Sequence, residues 1–244
     1  MIAKIRDVTG TGDSRNPIAI LVEAADDIVY SVVDIEDGIK KRVIRWELLK
    51  DILKPHVDKI GKELFEACID AAEKKVDSGE FAPTGQNRDE NISQYFRTLV
   101  IGKATAAVHK AFLARYDDIM NGKFEDELLY TSDLGPLYDL LKNQIGVPHV
   151  YSSKETLRLE LLGCEVIHSL MDIFWQADNS PEASDFGKKT YALLSKNYRT
   201  IFERPDEHVK TLSPIYQKAL LVTDYICGMT DSFAVNLHNE LRHG

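Results

Sequence analysis

Apolar residues recur at three- and four-residue steps along most of this 244-residue chain, which is the period of an amphipathic helix, while alternating runs that would make half-buried strands are scarce. The pattern predicts helices near residues 46–54, 57–78, 90–121 and 134–144, and a long buried helix over the run from Leu157 to Trp175. Three pairs, Asn16-Pro17, Ser180-Pro181 and Ser213-Pro214, each set a capping side chain before a proline suited to a first helical turn, and each is read as a helix opener. Ser152-Ser153-Lys154-Glu155 reads as a capping box opening the run to Trp175. Between Ser78 and Asn91, Gly79, Pro83 and Gly85 lie among polar residues, so a loop is predicted over 78–91, separating two helical blocks. With no internal repeat and no low-complexity tract, the chain reads as one all-α, multi-helix domain spanning residues 1–244.

The segment that follows Pro17 departs from an ordinary amphipathic pattern. At about 100° per residue, Asp26, Tyr30, Asp34 and Asp37 fall within roughly 80° of one another, with Glu23 in the same sector. Leu21, Ala24, Ala25, Ile28, Val29, Val32, Val33, Ile35 and Ile39 fill most of the remainder, so a core helix carries an acidic seam. Such a string is more often a solvated, salt-bridged face than a metal site. Here, however, the seam holds a tyrosine in place of basic partners and is flanked by apolar residues. Asp26 and Asp34 are two turns apart, about 12 Å along the axis, too far to serve one metal ion directly.

The formal net charge of −9 argues against a general nucleic-acid binder. Cys68, Cys164 and Cys227 are odd in number and far apart, which argues against a disulfide framework and for a reducing cytoplasm; they read as small core residues. No apolar stretch approaches the roughly 18 residues a membrane span needs. The expected setting is soluble and cytoplasmic.

Three ordered blocks carry a resemblance. EAADDIVYSVVDIEDGIKK from Glu23, TLRLELLGCEVIH at 156–168 and LVTDYICGMTDSFAVN at 221–236 resemble blocks of the deoxyguanosine triphosphate triphosphohydrolases, a family of HD-domain phosphohydrolases. The likeness runs from about residue 14 to the end and corresponds to the C-terminal portion of the family's usual length. The expected fold is therefore an HD-domain-like helical bundle, incomplete at its N-terminal side. The family assembles a divalent metal, magnesium, manganese or similar, from an early histidine, a His-Asp pair and a later aspartate. The resemblance implies that Asp26 is that last ligand. None of the seven histidines here is followed by aspartate, so the cation cage would need ligands from outside this sequence.

By the same resemblance Tyr30 and Asp34 match positions that contact the deoxynucleotide. Lys196 and Arg199, in the basic segment SKNYR, are candidates for the triphosphate, with Lys189 an equal alternative for that duty. Glu160 is a candidate for sugar or base, against the plain reading of an ion pair with Arg158 or another helix. His168 reads as a hydrogen-bonded core histidine, and Asp224, Thr230 and Asp231 as helix-terminal structure around Gly228. Tyr95, Phe96, Phe112 and Tyr116 read as core or interface.

The implied activity is that of a component of an enzyme converting dGTP and water to deoxyguanosine and triphosphate, inactive alone. The alternative is a non-catalytic helical remnant, or a regulatory subunit binding nucleotide or a homologous enzyme. A phosphohydrolase acting on another nucleotide is a third reading, disfavoured by the DYICGMTD block. Expected partners are a deoxynucleoside triphosphate and either a second copy or a complementary HD-containing polypeptide, with no membrane; a nucleic acid stays open as a regulator.

Overall fold

The computed structural model describes residues 2–78 and 83–243, without the side chains of Ile2, Ala3 and His243. All regular structure among the described residues is helical, as expected, and the chain divides into two compact units, Met1–Thr156 and Leu157–Gly244, where a single domain was read.

In the first unit, α1 (Ile2–Thr9) precedes the central helix α2 (Pro17–Lys40), whose first turn is closed by Asn16 accepting from the Ile18 N–H at 2.9 Å. The expected opener at Asn16-Pro17 is therefore present. α3 (Trp46–Leu53) follows, then α4 (Val57–Ile60), α5 (Lys62–Phe65), a π-helical turn over Glu66–Asp70, and α6 (Ala71–Asp77). The single helix predicted over 57–78 is broken because Gly61 adopts φ +94°, a left-handed conformation that terminates one helix and starts the next. α7 (Gly85–Ala114) begins inside the predicted loop: residues 85–91 are its first two turns, and residues 79–82 lie outside the described residues. After α8 (Tyr116–Met120), α9 (Gly135–Leu140) runs into a π-helical segment over Leu141–Tyr151.

α7 buries Ile92, Phe96, Val100, Ala104 and Val108, an i, i+4 stripe facing α2 and α6. Trp46 is fully buried with its ring edge-on to Phe96 at 5.3 Å, and its indole N–H donates to Glu73 at 2.9 Å. Tyr138, also fully buried, donates its hydroxyl to the Ile28 carbonyl at 2.9 Å, tying α9 to the middle of α2. Glu36 is only 2% exposed and is held between Lys40 at 2.5 Å and Arg97 at 3.0 Å, so this member of the acidic helix is a structural charge.

The second unit takes in most of α10 (Lys154–Trp175), then α11 (Asp185–Leu193), α12 (Lys196–Glu203), α13 (Pro214–Cys227) and α14 (Asp231–His243). α10 is capped one residue later than the capping box proposed: Ser153 Oγ accepts from the Thr156 N–H at 3.1 Å, whereas Ser152 donates to the Val147 carbonyl. Ser180-Pro181 opens no helix, because Asp178 accepts from the Ser180 N–H and holds it in a turn; Ser184 caps α11 instead. Ser213-Pro214 does open α13. The core gathers Leu170, Phe174, Tyr191, Val222 and Tyr225, with Phe174 edge-on to Tyr225 at 4.9 Å. Gly228 ends α13, donating its N–H to the Asp224 carbonyl at 3.0 Å, and Thr230 Oγ1 accepts from the Phe233 N–H to start α14. A side chain at Gly228 would run into the Tyr198 hydroxyl. The DYICGMTD block thus has a packing role as well as helix-terminal duty.

Cys68 is buried, and burial pushes its thiol up to about 11. Cys164 and Cys227 are exposed, correcting the core reading. His168 is likewise exposed, and its Nδ1 lies 3.3 Å from Cys164 Sγ; the enclosed histidine is His238, 8% exposed. The burial of Val166, Ser169 and Leu170 turns α10 so that His168 points outward.

Candidate functional site

On α2 the residues singled out by sequence share one helical sector but not one environment. Asp26 is exposed and edges an open depression bordered by Asn16, Ile18, Ala19, Val22 and Glu23. Tyr30, one turn on, is 59% exposed. Asp34, a further turn along, is half-buried and accepts from the Tyr151 hydroxyl at 2.5 Å, a charge-assisted bond that fixes its carboxylate. Burial, reinforced by the Asp34 charge, raises the Tyr151 hydroxyl well above the usual phenol range, so it stays a donor.

The sequence reading missed the basic partners of the seam. Arg15 pairs with Glu23 at 2.5 Å and donates to the Asp126 carbonyl at 2.6 Å. Lys142 sits over the Tyr130 ring at 5.6 Å, and burial of Tyr130 raises its hydroxyl. It also missed Asp27. This carboxyl is partly buried, its Oδ2 has no hydrogen-bond partner among the described residues, and desolvation, with Glu127 and Glu23 adding to it and Lys142 opposing, holds its pKa above the ordinary range. The Asp-Asp doublet was the available signal, since Asp27 lies on the border between seam and core.

Glu160, Lys196 and Arg199 belong to the second unit. Glu160 is exposed on α10, and among the described residues it makes no ion pair with Arg158. Lys196 is exposed at the first turn of α12. Arg199 is half-buried, with its guanidinium over the Tyr191 ring at 5.9 Å, while Tyr191 donates to Glu203 at 2.8 Å. Burial pushes the Tyr191 hydroxyl up to about 12. Lys189, on α11, is exposed.

Among the described residues, no group of three or more histidine, cysteine, aspartate or glutamate side chains is arranged to hold a metal ion. Asp26 offers one carboxylate toward a cation, and no group among the described residues completes a site around it. No helix of the described residues is long and apolar enough to cross a membrane.

Comparison with known proteins extends the resemblance beyond the three blocks. Residues 137–240 match the family model described as a phosphohydrolase-associated domain. A deoxyguanosinetriphosphate triphosphohydrolase-like protein of Listeria monocytogenes is 30% identical over 98% of this chain and 51% of its own length. The deoxyguanosinetriphosphate triphosphohydrolases of Yersinia enterocolitica and Serratia proteamaculans are each 27% identical over 93% of the chain, which covers 49% and 48% of their lengths. The chain therefore resembles these proteins along nearly all of itself and spans about half the length of the curated relatives it matches.

Proposed function

We propose that this chain forms one part of a deoxynucleoside triphosphate triphosphohydrolase, hydrolysing dGTP to deoxyguanosine and triphosphate, whose remaining active-site groups lie outside the stretch it spans. The observation that carries the reading is the presentation of Asp26, Tyr30 and Asp34 on consecutive turns of α2, two of them exposed and the third held by Tyr151. The names of the relatives support the substrate. In this reading Asp26 is a ligand-bearing carboxylate, Tyr30 lies against the sugar or base, and Asp34 accepts from a substrate hydroxyl while Tyr151 keeps its second oxygen oriented. Glu160, Lys196 and Arg199 are assigned to substrate, the two cations to the triphosphate, where positioning and positive charge are the main demands of phosphoryl chemistry. A divalent metal would supply charge neutralisation, and its other ligands would be the histidine and His-Asp pair that this sequence lacks. The setting we assign is the cytoplasm.

The absence of a metal-holding group among the described residues favours a second reading, a regulatory subunit that binds nucleotide without cleaving it. Assay of triphosphate release separates the two. The chain alone should release none from dGTP. Mixed with a polypeptide carrying the histidine and His-Asp pair, it should gain turnover that Asp26→Ala abolishes. Nucleotide binding with no turnover in any mixture supports the regulatory reading, and hydrolysis by the isolated chain would overturn both.

A further inference from the structure

α10 sets a thiol and an imidazole side by side. Cys164 and His168 are four residues apart, about 6 Å along the axis and about 40° around it, and both are exposed. The Cys164 Sγ lies 3.3 Å from His168 Nδ1. A free cysteine is ordinarily among the most buried residues and a thiol is a weak hydrogen-bond donor, so neither packing nor the bond itself accounts for the placement. The separation matches another use. An ion held at about 2.3 Å by a thiolate and about 2.0–2.1 Å by an imidazole, with a tetrahedral angle between them, sets its two ligand atoms about 3.5 Å apart. Glu160 and Asp172, one turn before Cys164 and one turn after His168, are exposed as well and add negative charge to that side of the helix.

We propose that Cys164 and His168 form a two-ligand site for a divalent cation of the zinc class, separate from the nucleotide chemistry assigned to α2. On binding, the thiol gives its proton to solvent and Sγ becomes the anionic ligand, while the imidazole binds through Nδ1 and keeps its hydrogen on Nε2. Water fills the remaining positions, since among the described residues no group of three or more histidine, cysteine, aspartate or glutamate side chains is arranged around an ion. Glu165, the next residue along, is engaged elsewhere by Arg242 at 3.5 Å. A sulfur and nitrogen donor pair favours zinc, nickel or cobalt over magnesium and calcium, which take oxygen ligands. A nucleophilic thiol is the competing use of such a pair. That use calls for electropositive surroundings, whereas Glu160 and Asp172 flank this one with carboxylates, which attract a cation and oppose a bare thiolate.

The test is a cobalt(II) titration under a non-thiol reductant, followed by the thiolate-to-cobalt charge-transfer band in the near ultraviolet. The parent chain carries Cys227→Ser, so that the other exposed thiol does not contribute. It should take up one cobalt per chain, and excess zinc, but not excess magnesium, should erase the band. Cys164→Ser should abolish the band, and His168→Gln should weaken cobalt binding at least about tenfold, because the second ligand no longer acts from within the same helix. Both substitutions lie at exposed positions and should leave far-UV circular dichroism unchanged. Asp26→Ala should titrate as the parent does, which separates this site from the carboxylate on α2. No band at millimolar cobalt, a band that survives Cys164→Ser, or a His168→Gln chain that binds as tightly as its parent would each overturn the proposal.

Discussion

α2 and α10 have comparable length and the same helical period of apolar residues, yet one is the axis of its unit and the other is buried along a narrow line. α2 is gripped on its core sector by α7 and the Leu141–Tyr151 segment, with Tyr138 bonded to its backbone. α10 buries Val166, Ser169, Leu170 and Phe174, and leaves Leu157, Leu159, Leu161, Leu162 and Ile167 exposed. Periodicity specifies that a helix has an apolar face. Whether that face is covered depends on what packs against it, which the period alone does not specify.

The largest expected effect sets the two sides of α10 against each other. Phe174→Ala, which empties a fully buried site against Tyr225, should cost about 3–5 kcal/mol in urea denaturation. Leu161→Ala, on a residue 72% exposed, should stay within about 0.5 kcal/mol. A comparable loss at Leu161 would mean that the open side of α10 is covered in solution. Next in size is Gly228→Ala, where the added methyl meets the Tyr198 hydroxyl. Thermal unfolding should report a loss of about 1–3 kcal/mol, and Tyr198→Phe in the same chain should recover most of it.

On the α2 side, Tyr151→Phe removes the donor to Asp34 and should cost about 1 kcal/mol in urea denaturation. The smallest effects are pH-dependent and opposite in sign. Arg88 bonds Asp77 and holds its carboxyl below the usual range. That contribution is present above the unfolded pKa and disappears as pH falls through the folded one. Asp77→Asn should therefore flatten acid unfolding by a few tenths of a kcal/mol, the pair being partly exposed. Asp27 is raised by burial, so its stabilising contribution is complete below the unfolded pKa and is lost as pH climbs through the folded value. Asp27→Asn should make stability less dependent on pH in that window.

What could be read from sequence was local. The Asn16 and Ser213 caps lie within three residues of the amides they satisfy, and the seam of α2 follows from helical geometry alone. What escaped was contributed from a distance or decided by packing. Lys142 and Tyr151 reach α2 from more than a hundred residues away, so no window around Glu23 contains them. The capping box went to Ser153 because Ser152 was taken by the Val147 carbonyl, a bond set by the preceding π-helical turn. His168 was assigned inward by its apolar neighbours, when Val166 and Leu170 alone fix which way α10 faces.

That π-helical segment, Leu141–Tyr151, has one consequence beyond its shape. Its wider coil accommodates Pro148 within the run and closes with the Ser152 amide on the Val147 carbonyl, five residues back. Shortening it by a single residue would let the chain rewind as an ordinary α-helix and swing everything after the cut by about 100°. Tyr151 would then face away from Asp34. The phasing of the seam with its clasp is thus set by the residue count between Leu141 and Tyr151, where one deletion would uncouple them while sparing every α2 side chain named above.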